Sequence, residues 1–454
     1  MAAIGAVTIR SRLGRLGYLA EVEYSTELTA DGTVHLTYVV NSGPHLVLRS
    51  VVVRNRGSRP LTTREPFIRS YVKIEPGETV NTERVEQAET ALYGLGLFTL
   101  VDISVEPASN EDRAGAETHP ADVVVSVSEA RNRFLELTVG WGSYELLRGS
   151  VRYANRNLFG LGRSWSISGQ GSIRSLGVST TLSDPVLFGP QGTISLLGSY
   201  HFRDAPSFDN RVAEGRLSYV HTLSRHWSLS TSYRFTYSLA QAVEAEAGDA
   251  EDAALRTGRL GGGLDYDSRD SAVLPQKGAV LSLSAFYSSM FLGSEIDFAG
   301  LDSRFSFYIP FFSRLVLSAN WVFATRVLLE ERTTLPIQER LFLGGANSVR
   351  SFGTDQLGPT TAAGVPLGGL TSLQATAELR LKIVGGLHLA AFYDVGMIDD
   401  DQLAVAGAYG HAVGGGLRYY LPVGPIRLDA AYNPGRLYAA GARWAVHFAV
   451  GFAF

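Results

Sequence analysis

The sequence predicts a mainly β protein: a sixteen-stranded antiparallel transmembrane β-barrel preceded by an α+β module and part of another. Three observations predict this fold. From about residue 131 onward, apolar residues alternate with small or polar ones in about sixteen segments, most of them near the ~9 to 11 residues that a tilted strand needs to cross a bilayer. The 454 residues include 49 glycines and 10% aromatic residues, which suits such a barrel. Residues 1–130 instead mix helical and strand periods. An array of soluble β-sandwiches is the alternative.

Composition narrows the classes of function. A net charge of -4 at pH 7 gives no basic surface, so we expect no nucleic-acid partner. Cysteine is absent, which excludes a disulfide framework and a thiolate metal site. None of the three lysines follows the glycine pattern of a phosphate loop, and no His-Glu-x-x-His motif occurs. We therefore predict a protein that is not an enzyme and that holds no cofactor and no metal. No apolar run reaches about 18 residues, so we expect no membrane helix.

Residues 1–43 have the order of a partial module. Ile9 to Leu19 reads as a helix, and Ala20 to Glu27 and His35 to Val40 read as strands. This is the back half of the plan that follows in residues 44–130. The first residues lack the basic start, apolar core and cleavage site of a secretory signal. We therefore expect the chain to be an N-terminally trimmed fragment; a natural half-module is the alternative.

Residues 44–130 predict a complete module of five elements in the order β-α-α-β-β. Asn81 caps the longer helix, which ends at Gly94 or Gly96 and repeats apolar residues at helical spacing. This order gives a three-stranded sheet covered on one face by two helices. The expected elements are His45 to Arg54, Thr62 to Tyr71, the helix after Asn81, Phe98 to Glu106, and Ala121 to Ser128.

Residues 131–454 form the predicted barrel. In its first strand, Asn132 to Tyr144, one face is apolar and the other is small or polar. Lipid requires an apolar exterior, whereas a water-filled lumen tolerates charges on the opposite face. A soluble sandwich would put its apolar face inward and could use the same alternation. The apolar residues of the first strand are Leu135, Leu137, Val139 and Trp141. The charges on the polar faces of the barrel strands include Glu136, Glu378, Asp394, Arg418, Arg427 and Asp429.

The last strand, Arg443 to Phe454, is predicted to close the barrel. Its apolar face includes Phe448 and ends on the aromatic Phe454, the form of a barrel assembly signal. Gly451 weakens the pairing of this strand, because glycine adds backbone freedom and removes side-chain packing. The closing strand is therefore a candidate gate.

The segment Glu339 to Pro359 is too long and too polar for a hairpin turn. Arg350 lies near its centre, flanked by Val349 and Phe352. We interpret it as the tip of a loop that folds back into a pore and is anchored by the charge of the arginine. An ordinary solvated loop is the alternative.

Six stretches in fixed order resemble the BamA/TamA family of outer-membrane assembly proteins, which is of the bacterial surface antigen type. The resemblance covers nearly everything from about Ile9 to Phe454. Each stretch alone is weak, but six in the family order are highly specific. They read YGLGLFTLVDISV, NRNLFGLG, LDYDSRDSAVLPQKG, LGGANSVRSF, AFYDVG and PVGPIRLDAAYNP.

The resemblance implies POTRA modules in the periplasm before a sixteen-stranded barrel in the bacterial outer membrane. In this family the loop before the twelfth strand carries a Val-Arg-Gly-Phe or Val-Arg-Gly-Tyr tip, whose arginine pairs with acids of the barrel wall. Here Ser351 replaces the glycine, so a positive φ would be reached less easily. Glu378 on the twelfth strand and Asp394 on the thirteenth are the expected partners of Arg350, and Gly396 shares the lumen side with Asp394.

The implied function is insertion or translocation of β-barrel proteins without nucleotide. A POTRA sheet edge would capture a client strand, although the module could be a mere spacer. The client would pass to a lateral seam between the first and last barrel strands. The expected partners are unfolded outer-membrane proteins, outer-membrane lipid, and periplasmic or lipoprotein assembly factors. The seam residues are Leu135, Leu137, Val139, Trp141, Phe448, Gly451 and Phe454.

Two other functions stay open at the level of sequence. One is a diffusion porin that carries an N-terminal module, which would conduct ions steadily. The other is a secretion pore for one dedicated partner, as in two-partner secretion. The sequence also leaves open the BamA-like and TamA-like branches, because the number of POTRA modules is the natural discriminator, and it does not name the partners or the client range.

Overall fold

The computed structural model describes residues 2–29, 34–107, 118–185, 187, 191–242, 253–329, 335–421, 424–435 and 443–451. The chain divides into two compact units. The first contains Met1–Phe134 and Ala154–Trp165, and the second contains Leu135–Tyr153 and Ser166–Phe454. Within the described ranges, no helix is both long and apolar enough to cross a membrane.

The first unit begins with helix α1 (Ala2–Arg15), followed by the hairpin strands β1 (Glu21–Leu28) and β2 (Val34–Asn41). The two strands pair antiparallel over their whole length. The expectation of a helix over Ile9 to Leu19 was wrong in its bounds. The helix begins earlier and ends at Arg15, because Gly17 has a φ of 89° and so takes the left-handed conformation that terminates helices.

The complete module follows with β3 (His45–Asn55), α2 (Glu65–Arg69), α3 (Thr82–Gly94), β4 (Phe98–Pro107) and β5 (Thr118–Glu129). The sheet has the order β3-β5-β4, with β5 parallel to β3 and antiparallel to β4. The side chain of Asn81 accepts hydrogen bonds from the backbone N–H groups of Glu83 at 2.9 Å and Arg84 at 3.3 Å, so it caps α3.

The core of this module lies between the sheet and the two helices α2 and α3. The central strand β5 is a nearly continuous run of buried apolar residues, because it has a neighbour on both edges and a helix layer on one face. The helices contribute apolar residues at helical spacing. The buried side chains include Val123, Val125 and Val127 of the strand and Ile68, Val85, Ala88 and Leu92 of the helices.

The remaining sixteen strands close into one antiparallel barrel, and the prediction of this fold is confirmed. The last strand is followed as far as Val450, and Phe454 lies outside the described residues. The strands are β6 (Arg133–Gly142), β7 (Leu146–Leu158), β8 (Arg163–Ser172), β9 (Ser175–Asp184), β10 (Gly192–Asp204), β11 (Phe208–Thr222), β12 (Trp227–Ala242), β13 (Ala253–Asp267), β14 (Gly278–Ser288), β15 (Phe298–Phe312), β16 (Leu315–Leu328), β17 (Thr371–Val384), β18 (Leu387–Asp399), β19 (Gly410–Leu421), β20 (Gly424–Tyr432) and β21 (Trp444–Val450).

Exposure alternates along the barrel strands as the period of two requires. On β6 the apolar residues Leu135, Leu137 and Val139 are exposed on the outside of the barrel. On β17 Leu379 is exposed, whereas its neighbour Glu378 is largely buried and points into the lumen. This pattern is the reverse of a soluble core: apolar side chains meet the lipid and charged side chains are paired inside.

An ion pair ties the two parallel strands of the module together. Arg49 on β3 donates hydrogen bonds to both carboxylate oxygens of Asp122 on β5, and the Ser50 hydroxyl donates to the same carboxylate at 2.9 Å. The hydrogen bond from Arg49 holds the pKa of Asp122 below the ordinary aspartate value. A carboxyl whose pKa is lowered by folding stabilises the fold while it is ionised.

We predict that Asp122→Asn lowers the hydrogen-exchange protection of the β5 amides at neutral pH. Because the folded pKa of Asp122 is lowered, its contribution is present above the unfolded pKa and is lost as pH falls through the folded pKa. The difference between wild type and variant, after correction for intrinsic exchange rates, should therefore shrink to nothing in acid. Equal protection at neutral pH, or a difference that grows in acid, would contradict the prediction.

Candidate functional site

The candidate site is the loop between β16 and β17, described from residue 335. The loop begins with one 3-10 turn at Ile337–Glu339 and then pairs with itself as a narrow ribbon. Leu341 and Gly369 exchange backbone hydrogen bonds of 2.9 and 3.0 Å, and Leu357 donates to Leu343 at 2.9 Å. The backbone of the loop thus satisfies much of its own hydrogen bonding, which a segment inside a barrel needs.

The tip of this ribbon is a compact turn from Gly345 to Phe352. Gly345 donates to the carbonyl of Phe352 at 3.1 Å, and Phe352 donates to Val349 at 3.1 Å. Gly344 and Gly345 have φ values of 116° and 99°, a conformation that favours glycine. The glycine pair therefore allows the chain to turn sharply and present Arg350 at the end of the loop.

Arg350 contacts both acids expected from the sequence. Its Nε and Nη2 donate to the two carboxylate oxygens of Asp394 at 2.8 Å each, and its Nη1 donates to Glu378 at 3.1 Å. Its backbone N–H also donates to Asp394, at 3.2 Å. Two parallel bonds between a guanidinium and a carboxylate fix direction as well as distance. The tip is thus bound to the twelfth and thirteenth strands of the barrel.

Three further charges complete the site. Arg418 on β19 donates to Glu378 at 3.1 Å and also bonds Asp429 on β20. Asp429 lies 3.7 Å from Nη1 of Arg350 and 3.5 Å from Nε of Arg427. The sequence placed these residues on the polar face but did not identify them as partners. The six side chains carry three positive and three negative formal charges, so the buried cluster is neutral overall.

The side chains beside Arg350 are packed in an apolar layer. Val349 is fully buried, and Phe352 packs with it in a cluster that includes Phe392. The Cζ atom of Arg350 lies 3.3 Å from the ring centroid of Phe392, in a cation–π contact. A Cβ atom on Gly396 would lie 2.7 Å from Val349. Gly396 therefore provides the space on the wall into which Val349 fits.

Ser351 does not adopt the positive φ that a glycine at this position would allow. Among the described non-glycine residues, four have a positive φ, and Ser351 is not one of them. Its hydroxyl donates to the carbonyl of His411 at 2.6 Å. The concern that serine would distort the tip is thus answered: the backbone does not need a positive φ here, and the hydroxyl adds a bond to β19.

His447 on the last strand is a contact that the sequence did not predict. Its Nε2 donates to the carbonyl oxygen of Arg350 at 2.7 Å. Its position on the inward face of β21 follows from the alternation of that strand. The one sequence feature that could have indicated the contact is a polar side chain on the face opposite the apolar residues. The contact connects the loop tip to one of the two strands that close the barrel.

Other ion pairs hold the loop to the opposite side of the wall. Asp355 accepts from Arg203 on β10 at 2.7 Å, and Glu339 is paired with Arg259 on β13. The Arg203 side chain is half exposed, so this pair contributes less than the buried one. The loop therefore spans the lumen, with its tip on β17 to β21 and its flanks on β10 and β13.

The contact between β21 and β6 is the seam of the barrel. Among the described residues the two strands share two facing pairs, Ala449 with Gly142 and Val450 with Trp141. By contrast, β20 and β21 share seven. Gly451, with a φ of 83°, bonds back to Pro425 on β20.

Beyond those two pairs, the seam is joined by Ser143 and by one aromatic contact. Ser143 accepts from and donates to the backbone of Phe448. The rings of Trp141 and Phe448 lie 5.3 Å apart on the outside. Ser143 thus adds one residue to the contact between the two strands, and the Trp141–Phe448 pair adds one ring contact.

A cavity of about 470 Å³ lies on the lumen side of this seam. Gly142 and Tyr144 line it from the first strand and the turn that follows, and Ala449 lines it from the last strand. The loop residues Gly345 and Asn347 form another side. Within the described residues, no group of three or more His, Cys, Asp and Glu side chains could hold a metal ion.

Comparison with known proteins matches this architecture. Residues 157–454 match the Omp85 superfamily domain. The chain is 20% identical to the outer membrane protein assembly factor BamA of Neisseria meningitidis, in an alignment that covers 93% of this chain but about 59% of that protein's length. BamA from Haemophilus ducreyi lacking POTRA domains 1–3 is 18% identical with a TM-score of 0.79, covering 99% of this chain and 92% of that one. CdiB from Acinetobacter baumannii is 15% identical with a TM-score of 0.56, covering 98% and 80%.

We predict that Arg350→Ala releases the loop tip from the wall. Removing one partner of a buried ion pair leaves Asp394, which is 0% exposed, as an uncompensated charge, a change that costs about 3–5 kcal/mol. Hydrogen exchange of the amides at residues 345–352 in the folded protein should rise accordingly. The matched control is Arg203→Ala, whose half-exposed pair with Asp355 should cost less than about 1 kcal/mol. Equal exchange in the two variants would contradict the prediction.

Proposed function

The chain belongs to the BamA/TamA family within the Omp85 superfamily. From that membership we propose that it inserts β-barrel proteins into the outer membrane, or translocates them across it, without nucleotide. It is an outer-membrane protein whose POTRA region lies in the periplasm. Its clients in this proposal are unfolded outer-membrane proteins. The seam between β6 and β21 is the observation that carries the proposal.

The proposed role of the seam is to open sideways toward lipid. A strand with few backbone pairs costs less to separate than its neighbours, and β21 shares two pairs with β6 against seven with β20 among the described residues. An opened seam would expose the edge of β6, onto which a client strand can add by main-chain hydrogen bonds. The apolar side chains of the seam strands, Leu135, Leu137, Val139 and Phe448, already lie on the lipid-facing side.

The proposed role of the loop is to support the seam from inside. Arg350, Glu378 and Asp394 fix the tip, and Val349, Ser351 and Phe352 pack and bond it against the wall. The bond from His447 to the carbonyl of Arg350 then places the last strand against a fixed point. In this proposal, an anchored tip keeps β21 positioned while its pairing with β6 changes.

The POTRA module offers sheet edges for the first contact with a client. Strand β4 pairs with β5 on one side, and its other edge carries no strand among the described residues. An extended client segment could add to this edge with little demand on side-chain identity. We therefore propose that β4 receives client strands, with periplasmic or lipoprotein partners as further contacts of the module.

The two competing functions can be distinguished from the proposed one, a porin by the open channel it requires and a secretion pore by its single partner. A diffusion porin needs an open channel, whereas here the loop crosses the lumen and buries Val349 and Arg350 against the wall. The likeness in fold to CdiB keeps a dedicated secretion pore as the second candidate. A secretion pore would act on one partner, so loss of the protein would leave other outer-membrane barrels unchanged.

We predict that a disulfide across the seam stops client insertion. Gly142 faces Ala449 on the lumen side, and a Cβ on Gly142 would meet only the end of Arg148 at 3.9 Å. Because the chain has no cysteine, the double variant Gly142→Cys/Ala449→Cys can form only this bridge. The oxidised protein in vesicles should fail to assemble added client barrels, and a reductant should restore the activity.

The matched control is Ala430→Cys/Val446→Cys, which joins the facing residues of β20 and β21 and leaves the seam free. This variant should insert clients in both redox states. Full activity of the oxidised seam variant, with the disulfide verified by mass, would overturn the proposal that clients pass through the seam.

A further inference from the structure

A cavity of about 920 Å³ lies beside the start of the first barrel strand. The loop that follows β3, the segment between β5 and β6, and the turn between β7 and β8 form most of its lining. Every residue that lines it belongs to the first of the two compact units. The seam and the loop tip contribute no residue to it.

Hydrogen bonds hold the walls of the cavity in place. The backbone N–H of Arg64 donates to the carbonyl of Gly160 at 2.9 Å, and the side-chain amide of Asn157 donates to the hydroxyl of Thr63 at 2.8 Å. A Cβ atom on Gly160 would lie 2.3 Å from the carbonyl oxygen of Thr62, so glycine is required where the turn approaches the loop. The loop after β3 and the turn between β7 and β8 are therefore fixed against each other, and the cavity has a defined shape.

Three arginines give the cavity its positive charge. Arg59, Arg131 and Arg133 line it, and all three are exposed. Among the residues that the structure describes, no carboxylate forms an ion pair with any of them. By contrast, Arg49 and Arg54 of the same module are each paired with a carboxylate. The three arginines of the cavity are therefore available to bind an anion.

Glu129 is the carboxylate among the residues that line the cavity, and its oxygens are already occupied. One oxygen accepts from the backbone N–H and the hydroxyl of Thr62, at 2.9 Å each, and the other accepts from the same two groups of Thr63. These hydrogen bonds hold the carboxylate against the loop rather than against the arginines. The lining thus carries three positive formal charges and one negative one, an excess that attracts an anion.

Arg133 lies on the lipid-facing side of β6. Leu135 is 62% exposed on the outside of the barrel, and the period of two places Arg133 in the same line. Arg131 comes two residues earlier. The inward side of the wall is different, because Arg156 of β7 lies 4.9 Å from the ring centroid of Phe134 of β6, and neither residue lines the cavity. The cavity therefore opens toward lipid rather than toward the lumen.

The cavity lies at the periplasmic boundary of the apolar band. The POTRA region lies in the periplasm and β6 is the first strand after it, so Arg133 stands at the end of that strand nearest the periplasm. Leu135 is the first apolar residue of the lipid-facing line beyond it. A basic side chain at this depth keeps its charged end among the lipid headgroups. Phe159, which also lines the cavity and is 68% exposed, adds an apolar surface beside the charges.

We propose that this cavity binds the headgroup of an anionic phospholipid in the periplasmic leaflet. Arg131 and Arg133 donate hydrogen bonds to the phosphate, Arg59 adds a third positive charge from the module, and the acyl chains run along Leu135. An acidic peptide would carry the same charge, but Arg133 continues the lipid-facing line of β6, which favours a lipid. The cavity and the seam share no residue, so the proposed insertion function does not depend on this site.

Native mass spectrometry of the full chain with added phosphatidylglycerol tests the site. The variant Arg59→Gln/Arg131→Gln/Arg133→Gln should reduce the bound fraction about tenfold, which corresponds to ~1.4 kcal/mol. The matched control is Arg10→Gln/Arg12→Gln/Arg225→Gln, which removes exposed arginines that do not line the cavity and should bind like wild type. Unchanged binding by the first variant, or an equal loss in the control, would overturn the proposal.

A further variant and a competition experiment separate an anionic lipid from other ligands. Ser58→Trp narrows the cavity without changing its charge and should also lower the bound fraction of phosphatidylglycerol; unchanged binding would contradict the proposal. Equal concentrations of inorganic phosphate, of an oligoglutamate peptide or of zwitterionic phosphatidylcholine should not displace the bound lipid. Displacement by phosphate or by the peptide would show a site that needs no lipid, and displacement by phosphatidylcholine would show a site insensitive to headgroup charge. Either result would overturn the proposal.

Discussion

The buried cluster around Arg350 is the constraint on which the rest of the barrel interior depends. A guanidinium inside a protein is tolerated only when carboxylates compensate its charge and its hydrogen bonds are satisfied. Asp394 and Asp429 are fully buried and Glu378 nearly so, so each needs a cation as much as Arg350 needs them. Arg418 and Arg427 balance the remaining charge. The cluster is therefore stable as a set, and the loop cannot leave the wall without exposing it.

This mutual dependence explains why the site joins distant parts of the barrel. The acids stand on β17, β18 and β20, and Arg418 stands on β19, so the tip of one loop connects four consecutive strands. His447 extends the connection to β21 through the backbone of Arg350. The closing strand thus has strong contacts on the side of β20 and of the loop, and weaker described contacts on the side of β6.

Much of this arrangement could be predicted from the sequence, and what could not has a physical cause. The period of two predicted the barrel because lipid and lumen impose opposite polarity on neighbouring residues. The resemblance of the segment around Arg350 to the family's loop motif implied Glu378 and Asp394 as its partners. Arg418, Asp429 and His447 were missed as partners, because which lumen charges meet depends on strand stagger and on how deep the loop reaches. Neither the stagger of the strands nor the depth of the loop can be derived from the local spacing of residues in the sequence.

The bounds of α1 show the same limit at a smaller scale. Apolar spacing alone extended the helix to Leu19, whereas the left-handed Gly17 ends it at Arg15. Ser351 gave the opposite lesson, since the sequence suggested strain and the structure shows a hydrogen bond to His411 instead. Backbone conformation at single residues therefore decides details that side-chain patterns leave open.

The most direct test of the central claim is a double-mutant cycle between Arg350 and Asp394. The free energy of opening of the loop tip would be measured by hydrogen exchange in wild type, Arg350→Ala, Asp394→Ala and the double variant. If the pair fixes the tip, the two substitutions should be non-additive, with a coupling of about 0.5–3 kcal/mol. Additive effects would show that the two side chains act independently and would contradict the account.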